Sequence, residues 1–81
     1  METAELVERF RRIAAEVAGK ELPPVTESTL IADLGIDSLA MFEIVGGMEH
    51  ELDIQIPDDQ LVGVSTVAQL LAIVRKRLPA P

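Results

Sequence analysis

Apolar residues recur at helical spacing near the start of the chain. Successive members of this set lie one, three or four positions apart, which is typical of one buried helix face. The set is Leu6, Val7, Phe10, Ile13, Ala14 and Val17. We predict a first helix that is capped by Thr3 and ended by Gly19.

A second helix is predicted from Ser38 to about Leu52, and its apolar residues fall into two sets. The core stripe comprises Met41, Ile44, Val45, Met48 and Leu52. Leu39 and Phe42 lie beside this stripe, near Glu43 and Glu49. If the stripe is buried, this pair is partly exposed and flanked by carboxylates, as a docking surface for a partner requires. The alternative, that Phe42 turns into the seam between helix and loop, stays open.

Two shorter helical segments follow. Pro57, with Asp58 and Asp59 after it, predicts the start of a short third helix that Gly63 ends. Thr66 to Gln69 match a capping box and open the last helix. The buried face of that helix comprises Val67, Leu70, Leu71, Val74 and Leu78. Pro79 and Pro81 stop it, and Arg75 to Arg77 suit its negative C-terminal end.

The stretch between the first two helices contains Pro23, Pro24 and a Thr/Ser cluster, which break a helix. We expect a long ordered loop with one short turn after Ser28. The 81 residues therefore predict one all-α domain, 1–81, a small four-helix bundle with three longer helices and a short third. Gly46 and Gly47 cost roughly 1 kcal/mol each in mid-helix, and either a close backbone approach or a bend would explain them.

The composition limits the cellular compartments and the kinds of chemical site that are expected. There is no cysteine, so disulfides and thiolate sites are excluded, which fits a reducing compartment. The N-terminus is charged and lacks a long apolar run, so neither a secretion signal nor a membrane span is expected. These features favour a cytoplasmic protein.

The charge is unevenly placed along the chain. All seven basic residues lie in the end segments, 9–20 and 75–77, whereas residues 21–74 contain ten carboxylates and no Lys or Arg. Such a field repels nucleic acid and attracts basic protein surfaces. An acidic helical protein without any such partner is the simpler alternative.

Ser38 lacks the companions that a catalytic serine needs. The single histidine, His50, lies twelve residues further along the same predicted helix, about 18 Å away along its axis. Asp33, Gly35 and Asp37 resemble a calcium loop only faintly, since the required order of ligands is missing. Intrinsic catalysis is not expected. Ser38 is then either a helix N-cap or a hydroxyl that another enzyme modifies, since a helix N-terminus accepts a phosphate group.

The stretch Leu34-Gly35-Ile36-Asp37-Ser38-Leu39 resembles the L-G-x-D-S-L attachment motif of the acyl carrier protein family. Ile54 to Asp58 resemble the family's I-x-I-P-D/E segment, and Ser65 to Val67 resemble the opening of its fourth helix. The resemblance covers residues 3 to 78. It implies the acyl carrier type of four-helix bundle.

The resemblance also implies a carrier that is not itself an enzyme. A phosphopantetheinyl transferase would attach 4′-phosphopantetheine from coenzyme A to Ser38, with Asp37 orienting the serine, and Ser38 would keep the N-cap as an additional role. Acyl-loading, condensing or tailoring enzymes would bind the second helix through Leu39, Phe42, Glu43 and Glu49. A monomer is expected, with no nucleic acid, membrane or metal partner.

Some residues depart from the family pattern. Ala40 replaces a residue that is commonly acidic in fatty acid carriers, and Gly46-Gly47 are unusual, which favours a specialised pathway such as polyketide or nonribosomal peptide synthesis. Peptidyl carriers more often show G-G-x-S-L, so Asp37 favours acyl over aminoacyl cargo. The Met start and the short C-terminus suggest a free-standing protein. The rival classes are an unmodified acidic adaptor and a small calcium-binding protein.

Overall fold

Three α-helices form the frame of the molecule. The computed structural model describes residues 1–79, in which α1 spans Thr3–Ala18, α2 spans Ser38–Leu52 and α3 spans Val67–Arg77. Two 3-10 helices, Ile31–Leu34 and Asp58–Leu61, are called here the 31–34 turn and the 58–61 turn. No β-strand occurs among these residues, so the all-α prediction is confirmed. Across the same residues, no helix combines the length and apolarity needed to cross a bilayer. The call on Pro81 lies outside the described residues.

The predicted four-helix bundle is not confirmed, because the short third helix is a 3-10 helix and three α-helices are described. The segment after Pro57 forms the 58–61 turn, in which the Gln60 amide donates to the Pro57 carbonyl at 3.0 Å, three residues back. Val62 returns to extended backbone with φ −65° and ψ 129°, so the turn ends at Leu61 and not at Gly63. A segment of four residues is too short for the successive hydrogen bonds between residues i and i−4 that define an α-helix.

One apolar core joins all these elements. The most deeply covered side chains come from α1, α2 and α3, and the loops add Ile31, Leu34, Ile54 and Ile56. The fully buried large side chains are Leu6, Phe10, Ile44, Met48, Val67, Leu70 and Val74. The predicted faces of the three long helices are confirmed, with Val7, Val17, Met41, Leu52 and Leu78 half-buried at the margins.

The helix ends agree with the sequence in two places and differ in a third. Gly19 ends α1 in the left-handed conformation, with φ 70°, and the Thr66–Gln69 capping box opens α3, both as predicted. The prediction that Thr3 caps α1 is wrong, because Glu2 occupies that position without a side-chain bond. The Thr3 hydroxyl instead accepts a hydrogen bond from Arg75 of α3.

Close approach of α1 and α2 accounts for Gly47. A Cβ atom on Gly47 would lie 2.8 Å from Cγ2 of Ile13, whereas the space beside Gly46 is open. Glu51 of α2 then bonds two arginines of α1: Arg9 donates to it at 2.5 Å, and Arg12 donates to the same oxygen. These contacts align α1 and α2 with their directions opposed, and of the two explanations for Gly47 they favour close approach.

The long loop is tied to the start of α3 by main-chain hydrogen bonds. The Ile31 amide donates to the Ser65 carbonyl at 2.9 Å, and the Val67 amide donates to the Thr29 carbonyl at 3.0 Å. Leu30 and Thr66 thereby form an isolated antiparallel bridge. The predicted short turn after Ser28 is the 31–34 turn, which begins directly after this bridge.

Candidate functional site: an exposed serine at the rim of an apolar cleft

Ser38 is the first residue of α2, and Asp37 is its N-cap. The Asp37 backbone is extended, and its carboxylate accepts a hydrogen bond from the Ala40 amide at 2.8 Å. The expected N-cap role of Ser38 is therefore wrong, because the preceding side chain already satisfies the first turn. Ser38 is exposed, and among residues 1–79 its hydroxyl has no hydrogen-bond partner.

The residues before Ser38 turn the chain from the core to the surface. Gly35 has φ 76°, a left-handed conformation that a side chain would strain, and it ends the 31–34 turn. Ile36 then packs into the core, while Asp37 and Ser38 stand in solvent. The buried Ile36 thus anchors the chain two residues before the exposed hydroxyl.

Ser38 borders a cleft of about 470 Å³ that sequence analysis did not predict. Its walls are α2, the end of the long loop, and the 58–61 turn with the residues that follow it. The apolar lining comprises Leu30, Ile31, Ile36, Met41, Phe42, Leu61, Val62 and Val64. Asp37, Asp58 and Ser65 add polar groups. Such a volume is within the usual range for small-molecule sites.

The two-set division of α2 agrees with the structure. Leu39 is 68% exposed and Phe42 is 46% exposed, while the neighbouring stripe is covered. Phe42 also lines the cleft, so the two alternatives for this side chain are both partly realised. Glu43 is exposed, but Glu49 is half-buried, and its Oε2 accepts a hydrogen bond from the Ile56 amide at 2.7 Å.

The surface around Ser38 is acidic. Exposed carboxylates in this part of the chain are Asp33, Asp37, Glu43, Asp58 and Asp59. Several cations are held elsewhere, since Arg9 and Arg12 bond Glu51, and Arg75 bonds Met1 and Thr3. A hydrogen bond from Arg11 lowers the pKa of Glu8 on α1. Within residues 1–79, no group of three or more His, Cys, Asp or Glu is placed to hold a metal ion.

His50 is exposed and follows Ser38 by twelve residues on the same helix. The rise of 1.5 Å per residue separates the two by about 18 Å along the axis. A serine–histidine dyad is excluded by this spacing.

Comparisons with known proteins agree on the family. Residues 8–74 match the family described as phosphopantetheine attachment site. The chain is 38% identical to an acyl carrier protein of Phenylobacterium zucineum over 78 residues, covering 95% of this chain and 99% of that protein. It is 40% identical to a bikaverin polyketide synthase of Gibberella fujikuroi over 65 residues, 80% of this chain but only 3% of the synthase.

A solved structure shows the same arrangement. The crystal structure of an acyl carrier protein from Thermotoga maritima superimposes with a TM-score of 0.86 at 34% identity, covering 95% of this chain and 91% of the other. The matched family spans most of the chain, and the curated acyl carrier protein matches it nearly end to end. The chain therefore belongs to the acyl carrier protein family, with a phosphopantetheine attachment site and an acyl carrier role in biosynthesis.

Proposed function

We propose that the Ser38 hydroxyl carries the 4′-phosphopantetheine arm and that the adjoining cleft receives the acyl groups that the arm holds. One observation carries the proposal: an exposed hydroxyl, without a partner among residues 1–79, stands at the rim of an apolar cleft. A phosphodiester fits this position, since a helix N-terminus favours a phosphate group. A tether of this kind needs open space around its root, and Ser38 is exposed.

In the loading step, the Ser38 oxygen attacks the coenzyme A phosphorus that bears the pantetheine chain. A new oxygen–phosphorus bond forms, the pyrophosphate linkage breaks, and adenosine 3′,5′-bisphosphate leaves. The hydroxyl proton passes to a base on the transferase. Asp37 orients the serine, because its carboxylate fixes the first turn of α2 through the Ala40 amide.

When bound, the arm supplies a terminal thiol that holds acyl groups as thioesters, which this cysteine-free chain cannot do alone. The protein contributes position and shelter. Met41, Phe42, Leu61 and Val64 give the cleft an apolar lining against which a short acyl chain leaves water. The chain itself is not an enzyme in this proposal.

The proposed partners are a phosphopantetheinyl transferase and acyl-loading, condensing or tailoring enzymes. Leu39 and Phe42 supply exposed apolar area for docking, and Glu43 and Glu49 supply negative charge for basic surfaces. We place the protein in the cytoplasm, where coenzyme A and the transferase are both present. Residues 1–81 form one carrier domain in this proposal, and the protein is a monomer. The identity with part of a polyketide synthase supports a specialised pathway.

Intact mass spectrometry tests the proposal. Incubation with coenzyme A, magnesium and a transferase of broad carrier range should add one phosphopantetheine to the wild type and none to Ser38→Ala. Ser65→Ala is the matched control, because Ser65 also lines the cleft and is exposed. Its loading should equal that of the wild type. Addition to Ser38→Ala, or loss in Ser65→Ala alone, would contradict the assignment.

The exposed Leu39 and Phe42 also support a second candidate, an unmodified acidic adaptor that only binds proteins. The same experiment separates the two functions. An adaptor would remain at its unmodified mass while still binding a basic partner.

A further inference from the structure

We propose that Glu49 is a positioning residue that holds the two walls of the cleft at a fixed spacing. This inference rests on the proposed function for its purpose but not for its geometry. Glu49 lies on α2, whose residues Met41 and Phe42 line one wall. Its side chain is bonded to Ile56, two residues before the 58–61 turn that forms the opposite wall.

Two hydrogen bonds of Glu49 join α2 to the segment that leads to the opposite wall. Its backbone carbonyl accepts from the Ile54 amide at 3.0 Å, and its Oε2 accepts from the Ile56 amide at 2.7 Å. Before these two amides the chain leaves α2 through Asp53, whose φ of 55° is left-handed. Glu49 therefore bonds the segment that follows the end of its own helix.

The second bond fixes the root of the opposite wall. Ile56 is buried, and Pro57 follows it and accepts from Gln60 within the 58–61 turn. Loss of the Glu49 oxygen would leave the Ile56 amide without this acceptor, and the turn would be free to shift relative to α2. A hydrogen bond to a charged group in a half-buried place is stronger than a neutral one at the surface.

The acidic neighbour Glu43 is the natural contrast. It lies on the same helix, carries the same charge and is exposed, and no hydrogen bond of its side chain occurs among residues 1–79. A role for acidic side chains in attracting basic partners applies to both residues. A role in spacing the cleft applies to Glu49 alone.

The test uses Glu49→Ala, Glu49→Gln and Glu43→Ala. In the apo protein, amide hydrogen exchange at Ile56 should be about tenfold faster in Glu49→Ala, as loss of a charge-assisted hydrogen bond predicts. Glu49→Gln keeps an acceptor oxygen but loses the charge, so its exchange rate should lie between those of the wild type and Glu49→Ala, whereas Glu43→Ala should stay near the wild type. Circular dichroism establishes that each variant is folded.

A second readout uses the protein loaded with an octanoyl group. Hydrolysis of that group should be fastest in Glu49→Ala and slower in Glu49→Gln, because Gln retains the bond without the charge. If Gln is as damaging as Ala, or if Ile56 exchange is unchanged in Glu49→Ala, the positioning role is wrong. Failure to load Ser38 at all would contradict the proposed function, while the exchange data would still decide on Glu49.

Discussion

Asp37 has one observed role and one proposed role, which a pair of substitutions separates. Its carboxylate caps α2 through the Ala40 amide, and it stands beside the hydroxyl proposed for loading. Asparagine is as good an N-cap as aspartate but has no charge. Asp37→Asn should therefore leave the free energy of unfolding nearly unchanged while it slows loading of Ser38 by the transferase.

Asp37→Ala completes this comparison. It should lower the free energy of unfolding by about 1 kcal/mol, the usual cost of a lost cap, and slow loading as well. Urea denaturation measures the first effect, and the rate of mass gain measures the second. Equal loading rates of Asp37→Asn and the wild type would show that the charge of Asp37 does not contribute to loading.

Phe42 and Phe10 are the only aromatic residues, and they differ in burial. Phe10 is fully buried, whereas Phe42 is 46% exposed on the cleft and docking side of α2. We expect Phe42→Ala to keep the fold and to slow loading or acyl transfer by a partner enzyme. Phe10→Ala, as the contrast, should cost about 3–5 kcal/mol of stability. Unfolding of Phe42→Ala in the absence of denaturant would place this ring in the core.

At the scale of helices, the Gly46-Gly47 pair predicts opposite results for the same substitution. Gly46→Ala should stabilise the protein by up to about 1 kcal/mol, since alanine favours a helix and nothing obstructs its methyl group. Gly47→Ala should destabilise it by about 1–3 kcal/mol, because its Cβ would overlap a branch of buried Ile13. Thermal unfolding of both variants measures the difference. Stabilisation by both would mean that α1 and α2 have room to separate.

Much of the element structure could be predicted because it depends on neighbours in sequence. The spacing of apolar residues located α1, α2 and α3, and Gly19 and the Thr66–Gln69 pair marked helix ends. The motif around Ser38 led to the proposed attachment point of the arm. These signals are local, so a sequence contains them in full.

Some of the missed features depend on contacts between segments, whereas the cap of α2 is a local feature. Thr3 bonds Arg75, and Glu49 bonds Ile56, which no periodicity indicates. The cleft exists only because the long loop and the 58–61 turn pack beside α2. Ser38 was wrongly given the cap because serine and aspartate are similarly good caps, and only the backbone conformation distinguishes adjacent candidates.

Charge is distributed unevenly between the two ends of the molecule that α3 connects. This helix starts beside the cleft, where Ser65 and Ser38 both line the wall, and it ends about 16 Å away at exposed Lys76 and Arg77. The start of α1 lies at that far end, since Thr3 bonds Arg75. We expect a basic enzyme surface to be attracted more strongly to the Ser38 end than to the other end.

Loading by a basic transferase should slow as salt is added, because the screening length is about 10 Å at 0.1 M ionic strength. Glu43→Gln should weaken this salt dependence. Glu5→Gln is the matched control, since Glu5 is also exposed but lies in the first turn of α1, at the far end. The rate of mass gain at several salt concentrations measures both, and equal effects of the two variants would argue against an oriented approach.

At the bridge between Leu30 and Thr66, main-chain atoms hold the loop in place, while a side chain lines the cleft. The loop is anchored there by main-chain atoms of Thr29 and Ile31, which every amino acid except proline provides in full. The Leu30 side chain, which borders the opening, takes no part in that anchorage. Its size can thus be altered to admit bulkier or shorter cargo while the scaffold stays in register, which makes position 30 the natural place to redesign what this protein transports.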